Sequence, residues 1–176
     1  MNVVGVECNA DRYFFGRLLD NKLLIRKERN DIEVIKGVFE RSKGNFSIGI
    51  IDIDKNKKIP SSFAIIDENV NTTILKHKTN SQFIVLIGPR QFEHWINDFL
   101  KSNNTTVENF GFETFNDFMR KSKSLKPENE PGFINLINFV FENFELNENH
   151  ISKLKKQLKH IIDKKYNFNI DEFLKI

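Results

Sequence analysis

The sequence predicts an α/β fold: a mostly parallel sheet flanked by helices, followed by a helical C-terminal extension. Three observations carry that expectation. Short, wholly apolar runs recur in the first hundred residues, the pattern of strands covered on both faces. Helical stretches separate the first three runs, and strand–helix–strand–helix–strand at such intervals implies parallel pairing with right-handed crossovers. Beyond Asn103-Asn104 the patterns are helical only.

Val3-Val4-Gly5-Val6 is the first strand, and from Ala10 a helix directs Phe14, Leu18 and Leu19 to a core before Asp20-Asn21 ends it. Leu23-Leu24-Ile25 reads as a second strand. Asn30 or Asp31 caps the next helix, with an apolar stripe of Ile32, Ile35, Val38 and Phe39, and Lys43-Gly44-Asn45 stops it. Phe46-Ser47-Ile48-Gly49-Ile50-Ile51 is the most strand-like segment and runs straight into Asp52-Ile53-Asp54. A polar loop, Lys55 to Pro60, follows. Thr73 to Lys76 and Phe83 to Ile87 give two more strands, and Gly88-Pro89 starts a helix with Pro in its first turn. That helix shows a clear face of Phe92, Trp95, Ile96, Phe99 and Leu100. In the extension, a helix over Phe112–Arg120 leads into a basic linker from Lys121 to Pro127. Pro131-Gly132 opens the next helix, with Phe133, Ile134, Ile137, Val140, Phe141 and Phe144. Asn147 to Ser152 caps another with Ile151, Leu154, Leu158, Ile161 and Ile162 on one face, and a short helix begins near Asp171. The expected organisation is an α/β core over 1–104 and a helical extension over 105–176 packed on it.

Composition narrows the class. The 176 residues are 39% hydrophobic and 29% charged, which suits a globular chain and excludes collagen-like or disordered ones. A net charge of +3 is too mild to imply nucleic-acid binding by itself. One cysteine excludes an intramolecular disulfide and a Cys-rich zinc site, so a reducing cytoplasm is the expected location. No apolar run approaches the roughly 20 residues that span a bilayer, and an acid at Glu7 interrupts any signal-peptide core.

Ligands of parallel sheets lie beyond the carboxyl ends of the strands. The first strand ends at Glu7, and the third ends at Asp52 and Asp54, which as i and i+2 can face one point. If the first and third strands are neighbours, three carboxylates share one edge and repel unless a cation neutralises them. Oxygen-only ligation favours Mg²⁺ or Mn²⁺, and an open Mg²⁺ site commonly serves phosphate chemistry. Asp-x-Asp after a strand is equally ordinary turn chemistry.

These residues resemble the TOPRIM (topoisomerase–primase) family. Val6-Glu7-Cys8-Asn9-Ala10-Asp11 is similar to its first motif, a strand-end Glu with an Asp four positions on, and Ile48 to Asp54 is similar to its Asp-x-Asp motif. Roughly residues 1–100 are covered. Pro89 and Glu93 match a Pro and Glu that follow a later strand in small TOPRIM proteins of the overcoming-lysogenization-defect nuclease type. The resemblance implies metal-dependent phosphodiester hydrolysis on DNA or RNA. Glu7 would be ligand or general base, Asp52 and Asp54 would hold one or two Mg²⁺ (or Mn²⁺) ions, Glu93 would complete a second ion's shell, and Asp11 would support the first motif. A Lys near the phosphate is also implied, with Lys123 preferred over Lys121. An ABC- or AAA-type ATPase partner in a bacterial phage-defence setting is implied as well, and a homo-oligomer is compatible. Cys8 stands where the family usually has Gly, and packing is its expected role. Lys55, Lys57 and Lys58 beside the acids could weaken an ion site or grip a nucleic-acid backbone. The rival reading is a catalytically degenerate TOPRIM fold acting as a regulatory or assembly subunit; primase-like nucleotidyl transfer ranks below both.

Other chemistries lack their residues. His77, His94, His150 and His160 are scattered, His94 reads as an exposed helix residue, and no zinc motif, nucleophile elbow, phosphate loop or dinucleotide fingerprint appears. The lysines of Ser152–His160 read as a solvated face, with sequence-independent phosphate contact as the functional alternative. Phe133 to Phe144 is apolar over more than one stripe, so part of it could dock a partner chain or a second copy.

Overall fold

The computed structural model describes residues 3–53 and 58–176 and places them in an α/β architecture built on one six-stranded sheet. The strands are β1 (Val4–Val6), β2 (Ile25–Lys27), β3 (Ser47–Asp52), β4 (Phe63–Glu68), β5 (Thr72–His77) and β6 (Gln82–Ile87), in the order β2-β1-β3-β6-β5-β4. β1 pairs in parallel with β2 and β3, and β3 in parallel with β6. β5 and β4 complete the sheet as an antiparallel ribbon.

The first helix, α1 (Asn9–Leu18), links β1 to β2 and belongs to the larger apolar cluster with Val4, Val6, Ile48 and Ile50. The second, α2 (Asp31–Lys36), continues through a π-helical turn at Gly37–Arg41 and packs Val34 and Val38 with Ile51 and Ile84. The strand period of two separates these sets, so α1 and α2 cover opposite faces. The chain leaves β1 toward β2 and then returns to its other side as β3. The boundary between β1 and β3 is therefore a topological switch point, where the loops diverge and leave a crevice at the carboxyl ends.

α3 (Phe92–Ser102) follows β6 and buries Phe92, Trp95, Ile96, Phe99 and Leu100, the face its spacing predicts. α4 (Phe115–Ser122), α5 (Pro131–Asn143), α6 (His150–Lys164) and α7 (Ile170–Phe173) make up the rest. Their Phe118, Phe133, Leu136, Leu158 and Phe173 join the cluster that contains α1, α3 and the sheet. Phe14 sits among aromatic rings, 5.4 Å from Phe92, 5.6 Å from Trp95 and 5.3 Å from Phe141 between centroids. Among the described residues no helix is long and apolar enough to cross a membrane.

Several local expectations are corrected. Lys22–Leu24 forms a 3₁₀ turn capped by Asn21, with Leu23 exposed, and the strand begins only at Ile25. The buried side of α2 is Val34 and Val38, whereas Ile32 and Phe39 are exposed. Pro89 precedes α3, whose N-cap is Gln91. β4 has no counterpart among the strands expected from sequence. Lys121 and Ser122 belong to α4 instead of the linker.

Candidate functional site

Four carboxylates gather at the β1/β3 crevice, each brought by a different element. Glu7 follows the last residue of β1, and Asp52 is the last residue of β3. Asp11 sits in the first turn of α1 and Glu93 in the first turn of α3. The backbone N–H of Asp52 donates to Glu7 Oε1 at 2.9 Å, which ties the ends of the two strands together. Asp52 Oδ1 accepts from the Phe92 N–H at 2.8 Å, so the N-terminus of α3 is anchored on the β3 acid. An acid there is also favoured by the unpaired N–H groups and dipole of the helix end.

Asp11 is only 4% exposed and Glu93 only 2%. Asp11 Oδ2 accepts from the Cys8 N–H at 3.1 Å, and Cys8 Sγ accepts from the Asp11 N–H at 3.4 Å, a capping box at the start of α1. Cys8 therefore caps as well as packs. Its φ of −132° is extended, which is why a side chain fits where the resembled motif carries Gly. Burial pushes its thiol up, away from a reactive thiolate. The other oxygen, Asp11 Oδ1, is buried without a hydrogen-bond partner. Glu93 receives the hydroxyl of Ser122 at the end of α4.

Crowding these acids in a desolvated crevice has an electrostatic cost. Burial raises the Asp11 carboxyl to about 7, with the Glu7 and Glu93 charges adding to the rise. Asp52 is raised to about 8, first by burial and then by Asp11, Glu7 and Glu93. Asp11 and Asp52 thus each feel the neighbouring acids. The donor set is all oxygen, the set suited to a hard divalent cation. Among the described residues, however, no group of three or more His, Cys, Asp or Glu side chains is arranged to hold a metal ion. Asp54, Lys55 and Lys57 lie outside the described residues.

The remaining candidates divide. Lys123 caps the end of α4 and its Nζ reaches Gln91 Oε1 at 3.3 Å, beside Glu93. Lys121 is instead held by Asp117 at 2.9 Å, an ion pair that helps pull the Asp117 carboxyl down to about 2. Lys58 is exposed. His94 is half-buried, edge-on to Phe115 at 4.9 Å, and so is not the exposed residue its position suggested. Most lysines on α6 have acidic partners: Lys153 pairs with Asp67, Lys155 with Glu145, Lys159 with Asp20 and Lys164 with Glu172. Sequence reasoning missed Ser122 and Gln91, because short polar residues carry no local signal of a partner on another element. No protein-family model, curated protein or solved structure matches this chain.

Proposed function

We propose that the chain is a TOPRIM-like, Mg²⁺- or Mn²⁺-dependent nuclease subunit acting on DNA or RNA phosphodiesters. The observation that carries this reading is the switch-point cluster of Glu7, Asp11, Asp52 and Glu93, with one oxygen of Asp11 buried and unpartnered. Asp11 and Asp52, whose carboxyls are raised there, are acids that a nearby cation would relieve. The donor chemistry fits a hard ion: Asp52 would hold it, with Glu7 as a further ligand or as the general base, and Asp54 belongs to the same motif through the resemblance alone. When bound, the ion supplies charge stabilisation to the phosphoryl oxygens.

The chain's own groups then have separate tasks. Glu7 takes the proton of the water that attacks phosphorus, the P–O ester bond breaks, and the leaving oxygen acquires a proton from solvent. Lys123, held by Gln91, offers a cation to the charge that develops on the phosphate. Ser122 keeps Glu93 in place. An ATPase partner belongs to the same reading through the resemblance alone.

A second reading has its own support. Glu7 and Asp52 each accept a backbone N–H, and no ready ion cage exists among the described residues, which suits a degenerate, scaffold-forming TOPRIM-like fold. Titration calorimetry with Mg²⁺ and Mn²⁺, beside cleavage assays on plasmid and single-stranded substrates, separates the two. The nuclease reading expects ion binding and metal-dependent cleavage that Asp52→Asn lowers by about 10² or more. Full cleavage by that variant removes the mechanism, and absence of ion binding leaves the scaffold.

A further inference from the structure

An open cavity of about 230 Å³ is lined by Asn9, Arg12, Tyr13, Lys22 and Glu128. Asn9, Arg12 and Tyr13 stand at i, i+3 and i+4 on α1, hence on one face, while Asp11 of the acid cluster is buried on another. Tyr13 is half-buried, with its ring braced edge-on by Phe133 at 5.9 Å, and the Arg17 guanidinium and Lys22 Nζ each lie 5.8 Å from the ring centre. Arg12 and Lys22 are exposed and have no acidic partner among the described residues, unlike most lysines of α6.

The basic linker connects this cavity to the acids. Lys123 reaches Gln91 at the start of α3, and two residues on the Leu125 carbonyl accepts from Asn9 Nδ2 at 2.9 Å. Lys126, also exposed, comes next. Cations therefore run from the crevice to the cavity with an aromatic plate at the far end. That combination of backbone-tracking charge and a stacking surface is how single strands are held without sequence readout.

We infer that this cavity is a subsite for one nucleotide of a single-stranded nucleic acid, its base stacked on Tyr13 and its phosphate held by Arg12 and Lys22. The inference rests on the nuclease reading for the identity of the strand, but not on cleavage. Glu128 on the cavity wall accepts hydrogen bonds, so it favours bases that present an exocyclic amine over thymine or uracil.

The test is binding of a short fluorescent single-stranded oligonucleotide, as DNA and as RNA, to the full chain in the presence of a chelator so that no cleavage intervenes. The Arg12→Ala, Lys22→Ala pair is expected to weaken binding and to flatten the slope of log affinity against log salt by about 0.7, the contribution of the one phosphate the two cations share. Tyr13→Ala is expected to lose about tenfold or more, Tyr13→Phe to retain binding, and Lys156→Ala on α6 to change nothing. An abasic oligonucleotide should bind the parent as weakly as the intact one binds Tyr13→Ala. Unchanged affinity and slope in the Arg12, Lys22 variant overturn the subsite, as does equal competition by polyglutamate. With this binding pattern intact, absence of cleavage in a parallel assay supplied with Mg²⁺ or Mn²⁺ would overturn the nuclease reading and leave the subsite standing.

Discussion

Asp52 performs two incompatible services: it anchors the Phe92 N–H and it crowds Asp11, Glu7 and Glu93. Its carboxyl, near 8, and that of Asp11, near 7, both stand above the ordinary value of 3.8. Between about pH 4 and pH 8 the folded chain therefore holds more protons than the unfolded chain, so its stability falls as pH rises through that window. In chelator, urea midpoints should be higher at pH 5.5 than at pH 8. Asp52→Asn keeps an oxygen for Phe92 and removes the repulsion, so it should be more stable than the parent at pH 8 by upwards of about 1 kcal/mol, with little gain at pH 5. Excess Mg²⁺ should close that gap by stabilising the parent alone, and a midpoint indifferent to pH would show that the acids do not share a desolvated crevice. Ser122→Ala is a separate probe, since it strands the buried Glu93 oxygen; a loss of about 1–3 kcal/mol is expected in the same urea measurement.

At the scale of elements, Gly49 on β3 explains why α2 lies where it does. A Cβ there would meet Val34 at 2.9 Å and Val38 at 3.0 Å, so the missing side chain is what lets these two valines settle onto the sheet. Gly49→Ala should cost about 1–3 kcal/mol by overpacking. Gly111, whose φ of +89° faces empty space, should lose only the roughly 1–2 kcal/mol of left-handed strain on conversion to Ala. Thermal unfolding of each variant against the parent checks this, and an unchanged midpoint for Gly49→Ala would remove the packing account of Gly49. The same glycine shows why the stripe of α2 is not legible in its own sequence: Val34 answers to a gap on another element and the π-helical turn shifts the phase beyond it, neither of which a 3.6-residue period contains. The bulge between Ile65 and Asp67 hides β4 in a similar way, since one extra residue breaks the alternation that marks a strand. The strand-end acids are legible because strand ends and parallel order follow from local patterns, and together those place Glu7 beside Asp52. The contributions of Ser122 and Gln91 are not, because they depend on how a distant helix docks.

For the whole molecule, the division at residue 104 is a change of pattern along the chain, while the packing runs across it. Phe14 and Trp95 share one cluster with Phe133, Leu136, Val140 and Leu158, and Arg17 of α1 donates to Asn138 of α5 at 2.8 Å and lies over Phe141. Each large apolar side chain buried this way contributes about 1.5–3 kcal/mol. Exposing several of them at once exceeds the roughly 5–15 kcal/mol by which a whole domain is stable. A fragment of residues 1–104 is therefore expected to lack a cooperative urea transition and to bind a hydrophobic dye, whereas the full chain unfolds in one step. Sharp, dispersed amide resonances from the fragment would refute this. The consequence reaches the crevice, because Ser122 on Glu93, Lys123 on Gln91 and Leu125 on Asn9 all come from the second half of the chain. Even a fragment rescued by added salt or osmolyte should hold Glu93 without its hydroxyl partner. Adding residues 105–176 as a separate chain should then restore both the cooperative transition and the pH dependence of stability together, since a single shared core and the acid site are closed by the same helices.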